Sequence, residues 1–234
     1  SELTALARIV GRHGGIYASH IRGEGTSLLG SIEEALNIGR DADVPVHISH
    51  FKAAGRDAWG LVREATRKIE EQRSQGYQVT ADQYPYIASS TSLGATVLPS
   101  WAREGGGKEL RQRLVTERDR LLPLISKAIE KADRGEAIRL AKYEKSPGWV
   151  GMNLAAIAKS TGQSVVDVVF TILMNGGASV VKFSMNEQDV RHVMRHDWVA
   201  TASDGSAKLP GPTKPHPRNY GTFPRKIAHY SLAE

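Results

Sequence analysis

The stretch Gly15–His20 reads GIYASH, and its plan returns at Val44–His50, VPVHISH, and at Tyr77–Asp82, YQVTAD. Each is a short run with apolar, β-branched or aromatic residues that closes on a His or an Asp. The closing residues His20, His50 and Asp82 recur about every 30 residues, the length of one strand–helix–strand step. The segments between them carry helical spacing. Leu28, Ile32, Ala35, Leu36 and Gly39 fall on one side of a helix that Ser27 can cap, and Leu61, Ala65, Lys68 and Ile69 fall on one side of the next. Ahead of them Leu3, Leu6, Ala7 and Val10 share a helix face, which Gly14-Gly15 ends. Strands alternating with helices predict an α/β fold with a parallel sheet, its three polar strand ends opening on one rim.

From Tyr86 to about Ala178 this rhythm fails. SSTSLGATVLPSW reads as a loop, a basic helical run follows it, and two amphipathic helices come after the turn at Pro147-Gly148. Strand character returns at ASVVKFS and, after a helix over 187–195, at WVATASDG, which ends at Asp204. Residues 1–85 and 178–234 are therefore expected to form the repeating β/α part, with 86–177 as a largely helical insertion. LPGPTKPHPRNYGTFPR, with five Pro within 15 residues, predicts a loop and then a late helix.

The chain has 234 residues, 40% of them hydrophobic and 24% charged, which suits a folded protein. It lacks a run of 18 apolar residues and its first residues are unlike a secretory signal, so no membrane association and a cytoplasmic location are expected. With no cysteine, any metal must be held by His and carboxylates. The net charge is +6, and four of these charges lie between Arg103 and Lys145, where 12 basic residues are interspersed with 8 acidic ones. That is a solvated helical face, and no nucleic-acid partner is expected.

His20, His50, Asp82 and Asp204 are the kind of strand-end set that a barrel enzyme gathers at its catalytic face. Two neutral imidazoles can hold a divalent ion, and a carboxylate beside an activated water can take its proton and return it to a leaving amine. At these residues YASHIRGEG, HISHFKAAG, ADQYPYIASSTSL and SDG followed by PHPRNYGTFPR resemble the N-acyl-D-amino-acid deacylases (D-aminoacylases) of the amidohydrolase superfamily, in the right order from about Gly14 to Tyr230. The resemblance implies the C-terminal half of a (β/α)8 TIM barrel, strands five to eight. It implies zinc as cofactor with His20 and His50 as ligands, Asp204 as catalytic acid/base, and Lys52, Tyr84 and Arg218 as contacts to the bound amino acid. The implied reaction is hydrolysis of N-acyl-D-amino acids to a carboxylate and a D-amino acid by zinc-activated water. Arg22 and Glu24 read equally well as groups that orient the ligands or as a surface ion pair, and His47 and His216 receive no metal role.

Family members begin with a small β-sandwich and the first half of the barrel, which supply a His-x-His pair and a metal-ligating cysteine. This chain has no cysteine, so it is expected to be a fragment, inactive by itself, whose partner is the missing N-terminal half or a second copy. The alternatives are a non-catalytic half-barrel scaffold and a related amidohydrolase that cleaves another amide.

Overall fold

The computed structural model describes residues 1–232. In chain order the elements begin α1 (Glu2–Arg12), β1 (Tyr17–Ser19), α2 (Leu28–Ala42), β2 (Val46–Ile48), α3 (Leu61–Ser74) and β3 (Val79–Gln83). There follow β4 (Ala88–Ser92), α4 (Leu93–Val97), α5 (Ser100–Arg103), α6 (Gly107–Thr116), α7 (Arg118–Glu130), β5 (Ile138–Lys142), α8 (Leu154–Thr161), α9 (Val165–Met174) and β6 (Ser179–Phe183). The chain ends with α10 (Glu187–Met194), β7 (Val199–Thr201), α11 (Arg218–Arg225) and a π-helical turn at Lys226–Ser231.

Two compact units result. The first comprises Ser1–Ile87, Met185–Ser206 and the chain from Pro217 onward. Its four strands are all parallel in the order β1-β2-β3-β7. Register runs Tyr17 to Val46 to Val79 and, at the far side, Ala81 to Val199. Parallel strands require a crossover of a dozen or more residues, and α2 and α3 supply it. The helices bury the positions their spacing announced: Leu28, Ile32, Ala35, Leu36 and Gly39 on α2, and Ala65 and Ile69 on α3. With Val46, Ile48, Phe51, Val79 and Ala81 they make the core of this unit.

One local expectation fails, and two helices bury less of their apolar side than α2 does. Ser27 precedes α2, but its side chain makes no capping bond. On α3, Val62 and Thr66 are buried, whereas Lys68 reaches outward to Glu33. On α1 only Ala7 is buried, against Ile38, Ala42 and Val44, while Leu3, Leu6, Ile9 and Val10 stay exposed.

The second unit comprises Ala88–Ser184 and Ala207–His216. Besides its helices it holds an antiparallel sheet in the order β4-β6-β5. Three expectations are corrected here. SSTSLGATVLPSW is not a loop but β4 followed by α4, the basic run ends in β5, and ASVVKFS becomes β6 beside β4 and β5 instead of joining the parallel sheet. The boundaries drawn at 85 and 178 shift accordingly, because a short apolar run does not reveal which strands it will pair with. Leu93, Leu121, Ile125, Leu140, Ile157 and Val169 belong to a separate core. Among the described residues no single helix is long and apolar enough to cross a membrane.

Helix α2 approaches β2 so closely that a Cβ on Gly39 would stand 2.1 Å from Val46 Cγ2 and 3.2 Å from Val44 O. Gly39→Ala should therefore lower the unfolding free energy in urea by about 1–3 kcal/mol, although alanine favours helices intrinsically. The loss from Gly39→Ala should be smaller when measured in a Val46→Ala background; an unchanged midpoint for Gly39→Ala would refute the close approach.

Candidate functional site

The parallel sheet delivers β1 and β2 to neighbouring positions, and the residues just past their C-terminal ends carry the chemistry. His20 follows β1 directly and is exposed, with Ile21 buried next to it as an anchor. His50 lies two residues beyond β2 with a φ of 41°, a left-handed conformation that costs a non-glycine residue energy and turns the chain sharply. The result is that His20 Nδ1 faces His50 Nε2 at 2.6 Å. Glu24 Oε1 stands 2.9 Å from His50 Nδ1 and 2.5 Å from Lys52 Nζ. Lys52 Nζ also donates to His50 O at 2.6 Å and lies 2.8 Å from His50 Nδ1. His20, Glu24 and His50 offer ligand atoms within 4.8 Å of one another, the sole such His/Cys/Asp/Glu group among the described residues. Of the pair left open by the sequence, Arg22 is the surface ion pair, joined to Glu34, and Glu24 belongs to the site.

Asp82 does not open on the rim as a free carboxylate. Its Oδ1 accepts the His50 N–H at 2.7 Å and its Oδ2 contacts His47 Nε2 at 2.8 Å, while His47 Nδ1 meets Thr80 Oγ1 at 2.8 Å. Strand alternation would separate His47 from the chemistry at residue 50. The left-handed turn instead brings the His50 backbone N–H to the carboxylate that His47 also holds, so Asp82 fixes the turn that presents the His50 ring.

Beyond Lys52 the network continues through Tyr84, which is 2% exposed. Its ring has Lys52 Nζ 5.5 Å from its centroid and the Arg218 guanidinium carbon at 4.8 Å, both within cation–π range. Arg218 Nη1 pairs with Asp204 Oδ2 at 2.8 Å. Asp204 comes three residues after β7, also in a left-handed conformation, with a φ of 46°. The next residue can only be glycine without rearrangement, since a Cβ on Gly205 would stand 2.9 Å from Asn219 Oδ1 and 3.1 Å from Asn219 Cα. Asn219 Oδ1 in turn accepts Ser206 N–H at 2.9 Å. The six residues singled out from the sequence, His20, His50, Lys52, Tyr84, Asp204 and Arg218, thus all lie in the first unit. A chain of contacts runs from His20 through His50, Lys52, Tyr84 and Arg218 to Asp204. His216 belongs to the other unit, where it is buried with Nε2 2.8 Å from Ala88 O.

Burial and pairing set the electrostatics. Burial pushes the Glu24 carboxyl up, but the bond to His50 and the Lys52 charge outweigh it and hold the group below its usual range. Burial lowers Lys52 from the ordinary ammonium value, with Glu24 opposing the shift. Burial raises the Tyr84 phenol, which stays neutral.

No family model matches the chain, but individual proteins do. It is 34% identical to a D-aminoacylase of Alcaligenes xylosoxydans xylosoxydans, over 98% of this chain and 39% of that protein. It is 29% identical to an N-acyl-D-glutamate deacylase of the same organism, with the same coverage. Among solved structures it is similar to an N-acyl-D-glutamate deacylase from Bordetella bronchiseptica, determined with zinc and a phosphonate inhibitor that mimics the reaction's tetrahedral intermediate. There the TM-score is 0.73 at 28% identity, covering 98% of this chain and 40% of that one. A D-aminoacylase structure gives a TM-score of 0.71 at 31% identity, covering 99% and 40%. The chain therefore spans about two-fifths of the length of these relatives.

If Asp82 holds the His50 turn, Asp82→Ala should cost about 1–3 kcal/mol of stability, since the bonds to the His50 N–H and to His47 are lost, an amount only partly offset by relief of the strained turn. Glu34→Ala, which removes only the exposed pair with Arg22, should cost less than about 1 kcal/mol. Chemical denaturation of both variants checks this, and equal losses would refute the role given to Asp82.

Proposed function

We propose that this chain, homologous over 98% of its length to D-aminoacylase and N-acyl-D-glutamate deacylase, carries part of the active site of a zinc-dependent amidohydrolase. Its substrate would be an N-acyl-D-amino acid, cleaved to a carboxylate and a D-amino acid. One observation carries the reading: two facing imidazole nitrogens, 2.6 Å apart, belong to the same network as two cations and an acidic group at a strand end. Neutral imidazoles are zinc donors, and a ring held by a carboxylate at its other nitrogen is the usual support for one, so His20 and His50 fit two positions of a zinc site. A bound zinc supplies Lewis acidity there, activating water and polarising the acyl carbonyl.

The remaining steps belong to the side chains. Lys52 and Arg218 attract the substrate's α-carboxylate, Arg218 with the planar fork suited to bidentate contact. Tyr84 offers its ring to both cations, 5.5 Å from Lys52 Nζ and 4.8 Å from the Arg218 guanidinium carbon. Asp204 takes a proton from water and delivers it to the departing amine nitrogen. In this structure Arg218 is paired with Asp204, so a substrate carboxylate that draws Arg218 to itself would release Asp204 for proton transfer.

We further read the four parallel strands as the second half of a (β/α)8 barrel. Two features support this. Among the described residues strand β1 pairs on one side only, and the α1 face before it exposes Leu6 and Ile9, each 54% accessible. A further β/α unit would cover both. The same exposed face also suits self-association, which is the form a non-catalytic scaffold would take.

Mixing this chain with a separately expressed N-terminal half from a relative should give zinc-dependent hydrolysis of N-acetyl-D-methionine, with the L-form untouched and neither part active alone. A folded, zinc-loaded mixture without turnover would favour the scaffold. In the active mixture Asp204→Ala should reduce kcat by about 100- to 10,000-fold with zinc content unchanged; retention of most activity would remove Asp204 from the chemistry.

A further inference from the structure

We propose that Glu24 is a positioning residue that fixes the proton of His50 on Nδ1, aims the Nε2 lone pair at the metal position beside His20, and ties that ring to Lys52 through one carboxylate oxygen. The inference rests on the metal reading above and deepens it. The two nitrogens of an imidazole lie on different edges of the ring, and those of His50 meet different partners. Nε2 faces His20 at 2.6 Å, and Nδ1 faces Glu24 Oε1 at 2.9 Å and Lys52 Nζ at 2.8 Å. Glu24 therefore meets the nitrogen of His50 that does not face His20, the place of an orienting carboxylate. Its carboxylate also lies within 4.8 Å of a His20 ligand atom, so zinc affinity must separate this role from that of a third ligand.

Two proton arrangements are open to the neutral ring. With the proton on Nε2, the ring donates to His20, its lone pair at Nδ1 accepts from Lys52, and that lone pair also stands 2.9 Å from a carboxylate oxygen, which is repulsive. With the proton on Nδ1, the ring donates to Glu24 and accepts at Nε2 from His20 Nδ1–H. Lys52 then still has Glu24 Oε1 at 2.5 Å and His50 O at 2.6 Å as acceptors. This arrangement sets the Lys52 ammonium 2.8 Å from the protonated Nδ1, but the ammonium hydrogens can turn to Glu24 Oε1 and His50 O, a freedom that a carboxylate facing a lone pair does not have. It leaves Nε2 of His50 unprotonated, and the proton on His20 Nδ1 is the one that metal binding must displace. Glu24 is 18% exposed in its side chain and Lys52 6%, so water competes little for these bonds. Because Glu24 holds Lys52 with the same oxygen, a change in the carboxylate disturbs the metal ligand and the substrate's cation together.

The test uses the full chain labelled with 15N-histidine and free of metal. Long-range 1H–15N spectra should show His50 protonated at Nδ1 in the wild type, with Glu24→Gln shifting the population toward Nε2. Zinc titration should then give affinity about 10- to 100-fold weaker for Glu24→Gln, with partial recovery in Glu24→Asp. A proton on Nε2 in the wild type, or zinc affinity within about twofold of wild type for Glu24→Gln, would overturn the positioning role. So would a loss as large as that of His50→Ala, which would make Glu24 a ligand itself. His20→Ala and His50→Ala separate the two levels: if neither weakens zinc binding the metal reading fails, and if both do while Glu24→Gln does not, only Glu24 is misassigned. Should Glu24→Gln fail to fold by circular dichroism, the wild-type spectrum still decides the tautomer.

Discussion

Parallel pairing of β1, β2, β3 and β7 sets the position of every group in the site. Once Tyr17, Val46 and Val79 are in register and Ala81 is opposite Val199, all four strands end at the same edge, and residues up to 184 apart in sequence, such as His20 and Asp204, are brought to it. The crossovers α2 and α3 enforce the pairing by burying their apolar faces on the strands, with Gly39 allowing the closest approach. The strands are only three to five residues long, so the turns just past them shape the edge as much as the strands themselves. At His50 and Asp204 the chain adopts left-handed conformations beyond the sheet, and each is held by a neighbour, Asp82 for His50 and Arg218 for Asp204. Strain concentrated at such positions is the usual mark of a place where side-chain direction matters more than stability.

The charges of the site are arranged in pairs. Lys52 has Glu24 and Arg218 has Asp204, while Asp82 is held by the His50 N–H and His47. Buried or half-buried charges need such partners, since an unpaired one would neutralise or leave the interior. Pairing also means that a bound anion must exchange with a resident carboxylate. Arg218 and Asp204 are suited to that exchange because Asp204 retains 38% of its side-chain exposure, whereas Glu24 and Lys52 are held more deeply.

The periodic part of this protein is written in its amino acids. The apolar spacing on α2 and α3, the short strands between them, and the polar residues that close those strands are all legible there, because periods of two and 3.6 residues are local properties of a chain. The motifs around His20, His50, Tyr84 and Asp204 are legible for the same reason, and with them the resemblance to the deacylases. Partner choice is not. Nothing local distinguishes ASVVKFS as an antiparallel strand from a parallel one; β6 is settled by β4 and β5, which flank it in the sheet although helices separate them from it in sequence. The exposed face of α1 follows the same rule, since spacing gives a helix its apolar side but not a surface to cover it. The choice between Arg22 and Glu24 as neighbour of the histidines, and the turning of Asp82 to the His50 backbone, belong to the folded state. Both outcomes depend on where a left-handed turn and a neighbouring strand place an atom to within a hydrogen-bond length, a quantity that no local pattern encodes.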